Sequence, residues 1–228
     1  MNRRSYSGMD LKLCALVTMF VDHIGAVLIE NTYLYNIEKF RMLDVCLRLI
    51  GRLAFPLYAF LLVEGFLHTR SWKKYTLRIL VLALLSEIPF DLAAYGKMNW
   101  EHQNVFFTLL IGLLVLKGIE KAEENKIAVA VVSVAGCVLA YLMHVDYSYM
   151  GIALIVFLYI LREDHRRRCI VGGTLFAYEL TPVFAFMMIY RYNGKKGETR
   201  IPKMVFYGFY PVHLLLLWGI RIALFPMP

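Results

Sequence analysis

The sequence predicts an all-α protein, a polytopic bundle of about eight transmembrane helices with a cytoplasmic N-terminus. Three observations carry the prediction. Hydrophobic residues make up 60% of the chain, and the mean hydropathy is +0.58, too apolar for an ordinary soluble domain. Long apolar runs alternate with short basic ones. No polar stretch is long enough to form a separate catalytic domain, and no Pro/Ser linker divides the chain. Residues 1–228 therefore read as a single integral membrane domain, and any chemistry belongs in or beside the bilayer.

The spans follow in order. Span one covers 11–30, after a polar, basic start with no small-residue cleavage site, so it reads as a retained helix rather than a signal peptide. Residues 36–49 mix Glu38, Lys39, Arg41, Asp44 and Arg48 with apolar positions, the pattern of an interfacial amphipathic helix. Span two is 50–67, span three 75–95, span four 104–119 and span five 126–145. The short span six, 149–162, reads as tilted or partly re-entrant. Span seven, 169–191, contains Pro182, which is expected to kink it. Span eight is 204–224.

The formal charge of +8 is scattered through loops. The positive-inside rule and anionic lipid head groups account for most of it, so membrane lipids are the expected partners and nucleic acid is not. The N-terminus and the 2–3, 4–5 and 6–7 loops hold most of the basic clusters, which supports a cytoplasmic N-terminus. The 7–8 loop, with Arg191, Lys195, Lys196, Arg200 and Lys203, breaks the rule. Either span seven re-enters at Pro182, or this loop is an exception with a binding role. Cys14, Cys46, Cys137 and Cys169 lie at irregular spacing without a CxxC pair, and read as structural thiols.

Ionisable residues inside the spans are the functional candidates, because such groups are costly in hydrocarbon. Asp22-His23 stands in the middle of span one, and Lys12 lies eleven residues earlier. Eleven residues make about three turns and roughly 16 Å of rise, so Lys12 and His23 share a face. With Lys12 at the surface, His23 is near the midplane. Neighbours on a helix point about 100° apart, so Asp22 is expected to pair with another helix, through Arg52, rather than to orient His23. His213 is central in span eight. Glu87 and Asp91 share a face of span three, Glu64 ends span two, Glu179 precedes Pro182, and His144 and Asp146 close span five. No HxxxH or HExxH spacing exists, so no metal site is expected. No GxSxG elbow, P-loop or dinucleotide fingerprint is present.

Several stretches together resemble one family. They are Leu11-Lys12 with Asp22-His23-Ile24-Gly25, Gly51-Arg52-Leu53-Ala54-Phe55-Pro56-Leu57-Tyr58, running on to Glu64-Gly65-Phe66, Ser86-Glu87-Ile88-Pro89-Phe90-Asp91, and Asn104-Val105-Phe106-Phe107-Thr108. With Tyr192-Asn193-Gly194 and Phe209-Tyr210-Pro211-Val212-His213-Leu214, they resemble the TraX family, whose name-giving member is the F-pilin acetylase. A weaker likeness extends to the membrane acyltransferase-3 group. There Lys12 replaces a more usual arginine, and Glu64 stands where a serine is common.

The resemblance implies acetyl transfer from cytoplasmic acetyl-CoA to an amine or hydroxyl: a small molecule, a glycan or a protein N-terminus. His23 would be the base or the acetyl carrier, with Asp22, His213 and Glu87 around it. Lys12, Arg52, Arg70, Lys73, Lys74 and Arg78 would meet the donor phosphates. Asn104 or Tyr58 would donate to the oxyanion. A homodimer is possible. The competing reading is a non-enzymatic proton-coupled transporter or assembly scaffold, with Glu64, Glu87, Asp91, Glu179 and the histidines as a relay. No inverted repeat supports it.

Overall fold

In a computed structural model, residues 6–122, 124–175 and 181–225 are described. Among them the fold is all-helical, with two isolated β-bridges, Tyr6 to Tyr192 and Gln103 to Val145, and no strands. The helices are α1 (Gly8–Ile24), α2 (Glu38–Gly51), α3 (Ala54–His68), α4 (Trp72–Tyr95), α5 (Val105–Ala122), α6 (Lys126–Leu142), α7 (Ser148–Ile160), α8 (His165–Leu175), α9 (Pro182–Tyr190) and α10 (Lys203–Leu224). Glu179 lies outside the described residues.

Three helical runs are long and apolar enough to cross a membrane: Gly8–Glu30, Glu38–His68 and Met204–Leu224. The first begins at a reciprocal cap, in which Asp10 N donates to Ser7 Oγ and Ser7 N donates to Asp10 Oδ2. It continues past Ile24 as a π-helical turn, Gly25–Glu30. Its 23 residues rise about 34 Å, enough for a bilayer core.

The helix expected at 36–49 is two-sided, and its polarity changes along its length. Asp44 and Gly51 are buried, whereas Met42, Leu43, Val45, Leu49 and Ile50 are exposed. An interfacial helix turns its charges to water, and Glu38, Lys39 and Arg41 in its first turn are exposed. Further along, apolar side chains face outward and Asp44 faces protein, as in a lipid-facing span. The same inversion recurs elsewhere. Leu84, Leu85, Val131, Val134, Val212 and Leu216 are exposed, while Glu87, Asp91, Asn104, His213 and Arg221 are buried. An apolar exterior over a polar interior is the arrangement hydrocarbon demands, and the protein is a membrane protein.

The chain divides into two compact units. The first holds the described residues of Met1–Leu57, Ile88–Asn99 and Phe176–Pro228. Within it α1 and α10 run parallel: Lys12 lies over Phe206, His23 against His213, and Tyr33 against Phe225. At their far end Arg221 donates to the carbonyls of Ala93 (2.9 Å) and Leu92 (3.1 Å), the last turn of α4.

At the near end Gly8 N donates to Lys195 O at 2.8 Å, Met9 N to Lys196 O at 2.9 Å and Asn193 N to Tyr6 O at 2.9 Å. The basic 191–197 loop is therefore at the N-terminal end of α1. A count of about eight crossings puts it at the opposite end. Pro182, expected to kink span seven, occupies the first turn of α9, where its missing N–H is no loss. The 9 residues of α9 rise only about 13 Å, roughly half a bilayer core. Its Met188 meets Cys14 of α1, and the chain then returns to Tyr6.

The second unit holds Tyr58–Glu87 and the described residues of Trp100–Leu175. Its α5, α6 and α7 pack on one another. A Cβ on Gly112 or Gly136 would strike Ile155 or Val115, so small residues set the helix spacing. The α6–α7 turn uses left-handed backbone at His144, Tyr147 and Ser148. It is tied back by Asp146 N donating to Gln103 O at 3.0 Å and by Thr108 Oγ1 donating to Asp146 O.

Candidate functional site

His23 and His213 meet directly, with 2.7 Å between His23 Nδ1 and His213 Nε2. His213 Nδ1 lies 2.7 Å from Phe209 O. A carbonyl can only accept, so His213 Nδ1 carries a proton. In the neutral ring His213 Nε2 is then the acceptor, and His23 Nδ1 must donate to it. The lone pair of a neutral His23 is left on Nε2. A backbone carbonyl thus sets the tautomer of two rings in series. Phe209 stacks on His213 at 4.8 Å between centroids, and Phe20 and Tyr210 close on it edgewise, at 5.8 and 5.7 Å. His213 is 3% exposed, so the pair is held in a largely dry aromatic frame.

Beside His23, Asp22 accepts from Arg48 Nη1 at 2.5 Å, and Arg48 Nε is 3.7 Å from Glu30. Asp22 does reach another helix, as expected, and the partner found is Arg48, one turn before Arg52. Arg52 follows the end of α2 and is half-buried. The contact requires close backbones: a Cβ on Gly51 would land on the Asp22 side chain, and one on Gly25 would meet Asp44 Oδ1 at 2.7 Å. The π-helical turn begins at this Gly25. Such turns widen a helix locally and are frequent at functional sites. Arg48 is within electrostatic reach of the His23 ring.

Lys12 is half-buried, with Nζ 4.1 Å from the centroid of Phe206 and 5.9 Å from that of Tyr207. Both Lys12 and His23 therefore face α10, as the eleven-residue spacing predicts. Arg70, Lys73, Lys74 and Arg78 are exposed at the start of α4 in the second unit. Arg78 Nε donates to Lys74 O at 3.1 Å.

Glu87 and Asn104 also belong to the second unit, and they bind each other. Asn104 N and Nδ2 donate to Glu87 Oε2 at 3.2 and 2.5 Å. Asn104 Nδ2 also donates to Ala83 O at 2.8 Å, and its Oδ1 accepts from Phe106 N at 2.9 Å. Both Nδ2 protons are engaged, which leaves none for an oxyanion. Tyr58 is half-buried in α3. Glu64, considered for a relay, pairs with buried Arg168 at 3.4 Å, and Asp91 accepts from Asn99 N at 2.9 Å. Among the described residues no cluster of His, Cys, Asp and Glu fits a metal ion.

Sequence reasoning missed Arg48, Phe209 and Tyr210 as parts of the site. A signal for Arg48 existed: Asp44 and Arg48 are four apart on a helix whose intervening positions are apolar. Phe209 acts through its carbonyl, which no side-chain pattern reveals.

The sequence model described as TraX protein matches residues 7–221. The chain belongs to the TraX family. The chain is also similar to a protein of Dichelobacter nodosus named probable fimbrial assembly protein FimC, serogroup H1. The two are 28% identical over 96% of this chain and 97% of that protein. No solved structure matches. The TraX match spans both histidines of the pair, Lys12, and the Asp22–Arg48 contact.

Proposed function

We propose that this protein is a membrane-embedded acetyltransferase serving fimbrial assembly, which moves acetyl from acetyl-CoA to an amine or hydroxyl acceptor at the membrane. The observation that carries the reading is the hydrogen bond between His23 and His213, which leaves the His23 Nε2 lone pair as the base. The TraX membership supports acetyl transfer through the resemblance to F-pilin acetylase. The name of the Dichelobacter relative supports fimbrial assembly, with the N-terminal amine of a fimbrial subunit as one acceptor.

In this proposal His23 Nε2 takes the acceptor's proton as the acceptor nitrogen or oxygen attacks the thioester carbonyl carbon. The oxyanion forms within reach of the Arg48 guanidinium, which Asp22 and Glu30 hold. The carbon–sulfur bond then breaks, and the leaving thiolate receives the proton from His23. Throughout, His23 Nδ1–H stays on His213 Nε2, which fixes the ring and its tautomer, the orienting part of what a carboxylate does in a Ser-His-Asp triad. Glu87 is proposed to hold Asn104 and the start of α5 rather than to touch substrate. Within the first unit, Lys12 and Arg52 remain proposed cations for the donor phosphates.

The protein is proposed to lie in the bacterial inner membrane, with the N-terminus and the 191–203 loop both cytoplasmic and α9 a re-entrant half-span. Within the first unit, that assignment puts the N-terminal and 191–203 cations on one side. The test is acetyl transfer by the purified protein. In neutral-lipid nanodiscs it should release CoA from labelled acetyl-CoA and acetylate an added peptide amine. Absence of acceptor-dependent turnover across amine, hydroxyl and glycan acceptors would count against the reading and in favour of a scaffold.

A further inference from the structure

The basic loop at the N-terminal end of α1 has more order than a topology signal needs. A signal requires only charge. This loop is fixed by backbone bonds to Tyr6, Gly8 and Met9 and by Lys195 N donating to Asn193 Oδ1 at 2.9 Å. Tyr192 is buried beneath it. Gly197, at φ +77, lies so close to Ser7 that a Cβ there would collide with the serine side chain. On this fixed backbone Arg191, Lys195, Lys196 and Arg200 all point their side chains outward and exposed, with Glu198 the one acid in 191–200.

An independent observation concerns Lys12. It is half-buried, and among the described residues no carboxylate lies within ion-pair distance of it. Lys196 is close enough to repel it. Gathering five cations around a single loop acid, Glu198, is unfavourable unless an anion joins them. Lys12 also stands at the head of the α1 face that leads to His23, eleven residues or about 16 Å deeper. The loop and the histidine pair belong to one unit.

We infer that Lys195 and Lys196, with Lys12 beneath them and Arg191 and Arg200 at the rim, form the docking site for the phosphorylated end of the acyl-CoA donor. A nucleotide diphosphate with a further phosphate is a compact polyanion, which matches several cations on a fixed loop. Its linear thioester arm then runs along the α1–α10 face toward His23 Nε2. This rests on the acetyl-transfer reading, and it adds a site to it.

The test uses the full-length protein in phosphatidylcholine nanodiscs and compares wild type with K195E/K196E and K195R/K196R. CoA binding is measured by calorimetry, and turnover with acetyl-CoA and with acetyl-pantetheine, which lacks the phosphates. In the charge-reversed variant, affinity for CoA should fall by about tenfold or more, and KM for acetyl-CoA should rise with little change in kcat. Turnover of acetyl-pantetheine should be unchanged, which also shows that the variant is folded, and the Arg variant should bind like wild type. Unchanged CoA affinity in K195E/K196E overturns the inference while leaving acetyl transfer standing. Loss of association with phosphatidylglycerol vesicles alone, with CoA affinity intact, assigns the loop to lipid and overturns it too. A wild type that binds and turns over neither donor removes the acetyl-transfer reading and the inference together.

Discussion

At the residue scale, the site depends on which nitrogen holds which proton. The Phe209 carbonyl fixes His213, and His213 fixes His23. His213 is thus a positioning residue, and its removal should lower kcat more than it raises KM. His213→Ala is expected to lose about a hundredfold in kcat with the acetyl-CoA KM near wild type. His213→Gln, whose amide oxygen can still accept from His23 Nδ1, should recover part of it. Steady-state kinetics on the folded variants checks this. Equal losses for both variants would mean that the acceptor role is wrong. His23 and His213 were legible as candidates because ionisable groups deep in apolar runs are rare. Their contact was not, because 190 residues separate them.

At the element scale, close approach and capping hold the first unit. Gly51 lets α2 lie against Asp22, so that Arg48 can reach it. Gly51→Ala should push the helices apart and destabilise by about 1–3 kcal/mol, read as a lower melting temperature in detergent. Arg221 closes the end of α4 through two backbone carbonyls. Arg221→Met removes both of these bonds, while Leu92 O keeps Gly96 N and Ala93 O keeps the longer contact to Asn31 Nδ2, and should destabilise by about 1 kcal/mol in the same assay. Hydropathy read the long helices well, since their length and apolarity are properties of contiguous sequence. It read 36–49 and 169–191 only in part. In the first case composition alone cannot say which face of a two-sided helix meets lipid. In the second, Pro182 is equally consistent with a kink and with a helix start, and only the chain path past it decides.

At the scale of the whole molecule, the parallel course of α1 and α10 and the loop joined to Tyr6 and Met9 fix relative sidedness within the first unit. The sequence posed this question without answering it, because the 191–203 cations fit either an exception to the positive-inside rule or a re-entrant segment. In a cysteine-free background, Glu198→Cys should react with a membrane-impermeant thiol reagent from the same side as an N-terminal tag. Tyr33→Cys should react from the opposite side. Labelling of Glu198→Cys and Tyr33→Cys from one side would contradict the fold. Acetyl transfer itself is tested most directly by purified wild type and His23→Ala, assayed side by side with labelled acetyl-CoA and an amine acceptor. The account predicts label on the acceptor with wild type and none above background with a His23→Ala protein that melts like wild type. Undiminished transfer by that folded variant would contradict it.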